Sequence, residues 1–93
     1  MTVYVDRLQN YAANPKANSW WCHMWSSDLD ELHRMAAVIG LKPSWIQVGT
    51  TTPPIYHYDL SARFRVLAVQ RGAVEVASAA AWIREQRVKG EAG

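Results

Sequence analysis

The chain reads as an α/β protein: a small single domain with three or four short strands, partly parallel, and about three packed helices. Three observations predict this. Short β-branched or aromatic runs alternate with stretches whose apolar residues recur at helical spacing. Two of those helical stretches stop at a glycine, Gly40 and Gly72. The order strand, strand, helix, connector, helix, strand, helix contains strand–helix–strand segments, which favour parallel pairing through right-handed crossovers.

Thr2-Val3-Tyr4-Val5 is short, β-branched and aromatic, and stops at Asp6, so it predicts the first strand. Residues 7–19 turn polar, with Asn10, Asn14, Pro15 and Asn18, and predict a loop. Ser19-Trp20-Trp21-Cys22-His23-Met24-Trp25 predicts a second strand. Alternation sets Trp21, His23 and Trp25 on one face and Trp20, Cys22 and Met24 on the other, and both faces are largely apolar. Ser26 to Glu31 opens a helix, with a serine cap and three acids meeting the positive end of the helix dipole. Leu29, Leu32, Ala36 and Ile39 form its buried stripe, and Gly40 is placed to end it in a left-handed cap.

Pro43-Ser44-Trp45-Ile46 suits one helical turn or a brief strand, and Gly49 to Pro54 a stiff loop. Ile55-Tyr56-His57-Tyr58 predicts extended chain, and Ser61 then caps a helix from about Ala62 to Arg71. Ala73-Val74-Glu75-Val76 predicts the third strand, and Ser78 caps a last helix from Ala79 to Val88. Residues 1–88 thus make the domain and residues 89–93 a frayed tail.

Composition bounds the function classes. With 49% hydrophobic residues and five Trp, ninety-three residues can build one core. A net charge of +2, its excess in the second half, argues against a nucleic-acid binder, which shows a stronger basic footprint. A small anionic ligand needs only one or two of those cations. Cys22 is the sole cysteine, which excludes an internal disulfide and predicts a cytoplasmic protein. Neither a signal-peptide pattern nor a membrane-length apolar run is expected from the sequence.

The densest group of reactive side chains is His57-Tyr58-Asp59-Leu60-Ser61. On an extended chain His57 and Asp59 project to the same side. Asp59 then either orients the imidazole, raising its basicity, or serves as a plain helix cap. His23 and His33 are the possible partners, either as a catalytic group (His57, Asp59, His23) or as ligands for a divalent transition metal (His23, His33, His57). Glu31 falls on the edge of the first helix opposite His33 and is assigned to the helix dipole. Asp6, at the carboxyl end of the first strand, lies where open parallel sheets bind ligands. With Gln47, Tyr58 and Arg63 it makes the ligand-binding set, Arg63 standing in a helix first turn that suits a phosphate. Cys22 is set aside as a nucleophile, since neighbouring strand residues point to opposite faces. Gly-rich phosphate loops, paired cysteines and nucleophile elbows do not occur.

Met1-Thr2-Val3-Tyr4-Val5-Asp6, Trp21-Cys22-His23-Met24, Glu31-Leu32-His33, Ile39-Gly40-Leu41, Trp45-Ile46-Gln47, His57-Tyr58-Asp59-Leu60 and Gly72-Ala73-Val74-Glu75-Val76 together resemble a small bacterial and phage family catalogued as domain of unknown function 4031. The resemblance runs from Met1 to about Val76. It implies that Asp6, His23, Glu31, His33, Gln47, His57, Tyr58 and Asp59 belong to the family pattern, and it is compatible with an accessory role in phage or prophage. Members often carry a second acid after the first-strand Asp, whereas here Arg7 follows Asp6, which counts against a paired-carboxylate metal site.

Two functional expectations follow. One is a ligand-binding or hydrolase-like domain with a His/Asp site for a phosphorylated or nucleotide-like molecule, with or without a metal. The other is a non-catalytic accessory protein that binds a host protein or forms a homodimer through surplus aromatic side chains.

Overall fold

The computed structural model describes residues 2–10, 19–50 and 54–92, with side chains as far as Gln86. The chain is α/β, as expected, with three helices on a mixed sheet. The strand count differs from the expected three or four: among the described residues six strands pair. They are β1 (Val3–Val5), β2 (Gln9–Asn10), β3 (Trp20–Ser26), β4 (Gln47–Val48), β5 (Tyr56–Leu60) and β6 (Val74–Glu75). The surplus comes from two-residue strands in polar or loop-like sequence, too short to show any alternation. Gln9–Asn10 lies inside the stretch expected to be loop and pairs with Trp20 and Trp21; residues 11–18 of that stretch lie outside the described residues.

The sheet order is β4-β5-β3-β1-β6, with β2 on the end of β3. Among the described residues only β1 and β6 pair in parallel; the β1–β3, β2–β3, β3–β5 and β4–β5 ladders are antiparallel. The predicted bias toward parallel pairing therefore holds at one edge. It fails in the middle because β3, the longest strand, sits between β1 and β5 and runs against both. β1, β5 and β6 all point the same way, so their carboxyl ends share one edge of the sheet.

Helices α1 (Leu29–Ile39) and α2 (Ala62–Gln70) cover one face of this sheet. Val3, Val5, Cys22, Met24, Tyr58 and Leu60 project from the strands onto Leu32, Ala36, Ile39 and Ala68, and together they form the core. Burying one such large apolar side chain contributes roughly 1.5–3 kcal/mol. Asp28, rather than a serine, caps α1: its carboxylate accepts from the backbone N–H of Asp30 and Glu31. Ser26, the residue before that turn, uses its hydroxyl to donate to the Thr2 carbonyl and to accept from Asp28 N–H. Gly40 closes α1 at φ 96°, a left-handed value that costs glycine nothing.

Pro43–Trp45 forms one 3-10 turn. The loop expected over Gly49 to Pro54 is described only in part, residues 51–53 lying outside the described residues. The third helix, α3 (Ala79–Ala92), is capped by the Ser78 hydroxyl and continues past Val88, where a tail was expected to begin. It crosses the face of the sheet opposite α1 and α2, where Trp82 packs against Tyr4 and Trp25 at ring-centroid distances of 5.2 and 5.7 Å. No helix among the described residues is long and apolar enough to cross a membrane.

Candidate functional site

The β3–β5 register decides which polar side chains meet. His23 stands opposite Asp59, and Trp25 opposite His57. Alternation sends all four to the face opposite α1 and α2, so His23 and His57 become diagonal neighbours with rings 5.2 Å apart, edge to face. The β4–β5 register adds Gln47, opposite His57.

Asp6, just beyond β1 on the neighbouring strand, is the buried acid of this site, 4% exposed. Its Oδ1 accepts the His23 backbone N–H at 2.7 Å, and its Oδ2 lies 2.8 Å from His23 Nδ1. A carboxylate only accepts, so Nδ1 carries the hydrogen and Nε2 is the ring atom left with a lone pair. Burial would disfavour the imidazolium, but the Asp6 hydrogen bond outweighs it and raises the His23 pKa above its usual 6.5. Carboxylates that hold the rear nitrogen of an imidazole in this way are common behind metal-bound histidines.

His57 is arranged differently. Its Nδ1 approaches the Ile55 carbonyl at 3.4 Å, and its Nε2 faces Asp59 Oδ1 at 3.5 Å. Two neutral tautomers fit these contacts: Nε2–H turned to Asp59, or Nδ1–H turned to the carbonyl, which leaves the Nε2 lone pair beside the carboxylate as a metal ligand would stand. Asp59 is itself held by Gln47, whose Nε2 donates to Oδ2 at 2.6 Å. One ligand atom from each of His23, His57 and Asp59 falls within 4.8 Å of the others, close enough to share one metal ion.

Of the residues expected at a site, Asp6, His23, Gln47, His57 and Asp59 converge at the carboxyl-end edge of β1 and β5. His33 and Tyr58 do not. They stand on the other side of the sheet, where His33 Nδ1 shares a 2.7 Å hydrogen bond with the Tyr58 hydroxyl. Tyr58 follows His57 on an extended strand and so points into the core, where burial raises its pKa. His33 therefore lies apart from the three possible ligands, since α1 packs on the wrong face. Arg63 is exposed and lines neither cavity described here.

The cation that does reach this end of the sheet is Arg65, two residues on and about 200° around the helix. Its Nε donates to the Asp6 carbonyl and its Nη1 to Glu75, tying α2 to β1 and β6. Sequence reasoning missed this staple, because nothing local separates Arg65 from Arg63. Cys22 lies in the core with its thiol pushed up to about 12, mainly by burial, and is inert as a nucleophile.

Two cavities adjoin the cluster. A cleft of about 770 Å³ is lined by Trp21, Trp45, Ile46 and Phe64 on its apolar side and by His23, Gln47 and Asp59 on its polar side. A smaller cavity of about 230 Å³ lies between the sheet and α3, with His23, Trp25 and His57 on the sheet side.

No curated protein and no solved structure matches the chain. A family model does match, over residues 3–88, and the chain belongs to the family described as protein of unknown function (DUF4031).

Proposed function

We propose that the protein binds one divalent transition metal through His23, His57 and Asp59 and uses it for hydrolase-like chemistry on a small molecule held in the adjoining cleft. The observation that carries this is the convergence of the three ligand atoms within 4.8 Å, backed by Asp6 behind His23 and Gln47 behind Asp59. Two imidazoles and one carboxylate leave coordination positions for water and substrate, the arrangement of catalytic rather than structural metal sites. A metal so held lowers the pKa of bound water and polarises an oxygen of the substrate. Asp6 and Gln47 fix the directions of their partners, so the ligands need little reorganisation to bind.

A phosphorylated substrate draws less support than a neutral or weakly charged one. Among the described residues no Lys or Arg lines the cleft, and the aromatic side chains there favour a flat or apolar group.

The experiment is metal analysis of protein purified without chelator, followed by titration of the metal-free protein with cobalt(II). The expected result is one metal per chain and visible absorption bands of low-coordinate cobalt. Both are lost in His57→Ala and Asp59→Ala and retained in His33→Ala. Protein that takes up no zinc, manganese, nickel or cobalt sinks the metal reading.

A second reading, a non-catalytic module acting through protein–protein contact, is supported by exposed apolar side chains at the β4 edge. Val48 and Tyr56 are cross-strand partners, and both are exposed. Light scattering across a concentration series tests it. A chain that stays monomeric and loses no partner on Val48→Lys removes that support.

A further inference from the structure

Two tryptophan rings stand open in the larger cleft. Trp21 and Trp45 both line it and are 41% and 48% exposed, although indoles are among the side chains that gain most from burial. Both are held in place by their surroundings. Trp21 lies on β3, opposite Gln9 of β2. Trp45 sits in the 3-10 turn, with Lys42 Nζ over its ring at 5.6 Å, which leaves the opposite face for a ligand. Aromatic surface kept open inside a concave site is suited to stacking on a ligand ring.

The polar wall of the same cleft supplies an oriented acceptor. Gln47 is exposed, lines the cleft, and follows Trp45 by two residues, so platform and polar group come from one short segment. Its amide donates to Asp59 Oδ2 at 2.6 Å. A carboxylate only accepts, so that contact fixes which end of the amide is nitrogen and which is oxygen. The Oε1 acceptor has no hydrogen-bond partner among the described residues. Glutamine amides in this state read the amino group on the edge of adenine.

We propose that the cleft binds the amino-bearing base of a nucleoside: the ring stacks on Trp45 with Trp21 as the second aromatic wall, and its amino group donates to Gln47 Oε1. Adenine and cytosine are flat, neutral and carry such a group. A volume of about 770 Å³ is that of a small-molecule site. Because Gln47 also holds Asp59, a base seated on it lies beside the proposed metal ligands. A single nucleic-acid strand fits less well, since it calls for a run of cations and the net charge is only +2. The assignment deepens, and rests on, the reading of this cleft as the seat of the substrate.

The test is calorimetry in the presence of chelator with adenosine, cytidine and purine riboside, the last lacking the amino group. The expected result is saturable binding of adenosine and cytidine, with purine riboside weaker than adenosine. Trp45→Ala should weaken adenosine at least about fivefold, the lower end of what one aromatic–base stack is worth, and Trp45→Phe should restore part of the loss. In Gln47→Met the preference for adenosine over purine riboside should vanish, a ratio that general loosening of the cleft does not move. Failure of both nucleosides to bind, or an adenosine affinity unchanged in Trp45→Ala, overturns the base site. So does methyl glucoside binding more tightly than adenosine, which makes the indoles a sugar platform, or binding seen only with oligoadenylate, which makes this face a nucleic-acid surface. The metal reading fails separately: nucleoside binding by a chain that takes up no metal keeps the base site, and metal uptake without nucleoside binding removes only the base site.

Discussion

His23 and His33 each engage a side-chain oxygen through Nδ1, at 2.8 and 2.7 Å, on opposite sides of the same sheet. The partners make them different residues. Asp6 is a carboxylate, which fixes the tautomer of His23, supports its positive form and turns Nε2 to the cluster. The Tyr58 hydroxyl both donates and accepts, so it leaves the tautomer of His33 open and adds no charge. His33 joins α1 to the sheet, whereas His23 stands beside His57 and Asp59. An imidazole becomes a site residue through what stands behind it.

Breaking the carboxylate half of this comparison should have the largest effect. Asp6→Asn keeps the size of the side chain and removes its charge. Metal affinity should fall about 10- to 100-fold, the usual cost of losing such a partner, as measured by competition with a chromophoric chelator. Tyr58→Phe removes the equivalent support from His33 and should leave metal affinity within about twofold. An equal loss in both variants would erase the distinction drawn between the two histidines.

The same pair predicts a pH signature in metal-free protein. The folded-state pKa of His23 is raised above 6.5. The stability gained from the charged pair is therefore fully present below 6.5 and is lost as pH rises through the folded-state value. The gap in Tm between the natural chain and Asp6→Asn, measured in chelator, should be wide near about pH 5.5 and narrow near about pH 8.5. A gap that widens with pH contradicts the assignment.

Smaller effects sharpen the contrast. Tyr58→Phe should cost about 1 kcal/mol in urea unfolding, the worth of one hydrogen bond on the packed face. Arg63→Ala should change stability by less than about 0.5 kcal/mol, as an exposed side chain does. Arg65→Ala should cost more than Arg63→Ala, because only Arg65 binds the Asp6 carbonyl and Glu75.

Much of this was legible before any coordinates. The periodicity of Leu32, Ala36 and Ile39 and the stop at Gly40 locate α1, because capping and apolar spacing are local, but Leu29, expected on the same buried stripe, is exposed in the first turn. Alternation paired His57 with Asp59 for the same reason. The convergence of Asp6, His23 and Gln47 on them was foreseen only as a list of polar residues, since register between strands far apart in sequence leaves no local trace. The sequence offers His33 as a partner, and the structure does not, because a helix edge does not say which face of a sheet the helix covers. The two-residue strands β2 and β4 carry no pattern at all, and their pairing is imposed by the longer strands beside them; β6 is legible in Ala73-Val74-Glu75-Val76.

The parallel pairing of β1 with β6 has a consequence for how the chain comes together. Tyr4 meets Val74 and Val5 meets Glu75, so that edge joins opposite ends of the domain. Contacts so distant in sequence are slow to form, because the intervening chain must be ordered first. Asp6, His23, Gln47, His57 and Asp59 all precede them. On a ribosome, the polypeptide bearing the His/Asp cluster emerges before β6 and α3, so the helix that walls off the smaller cavity arrives after the side chains it covers.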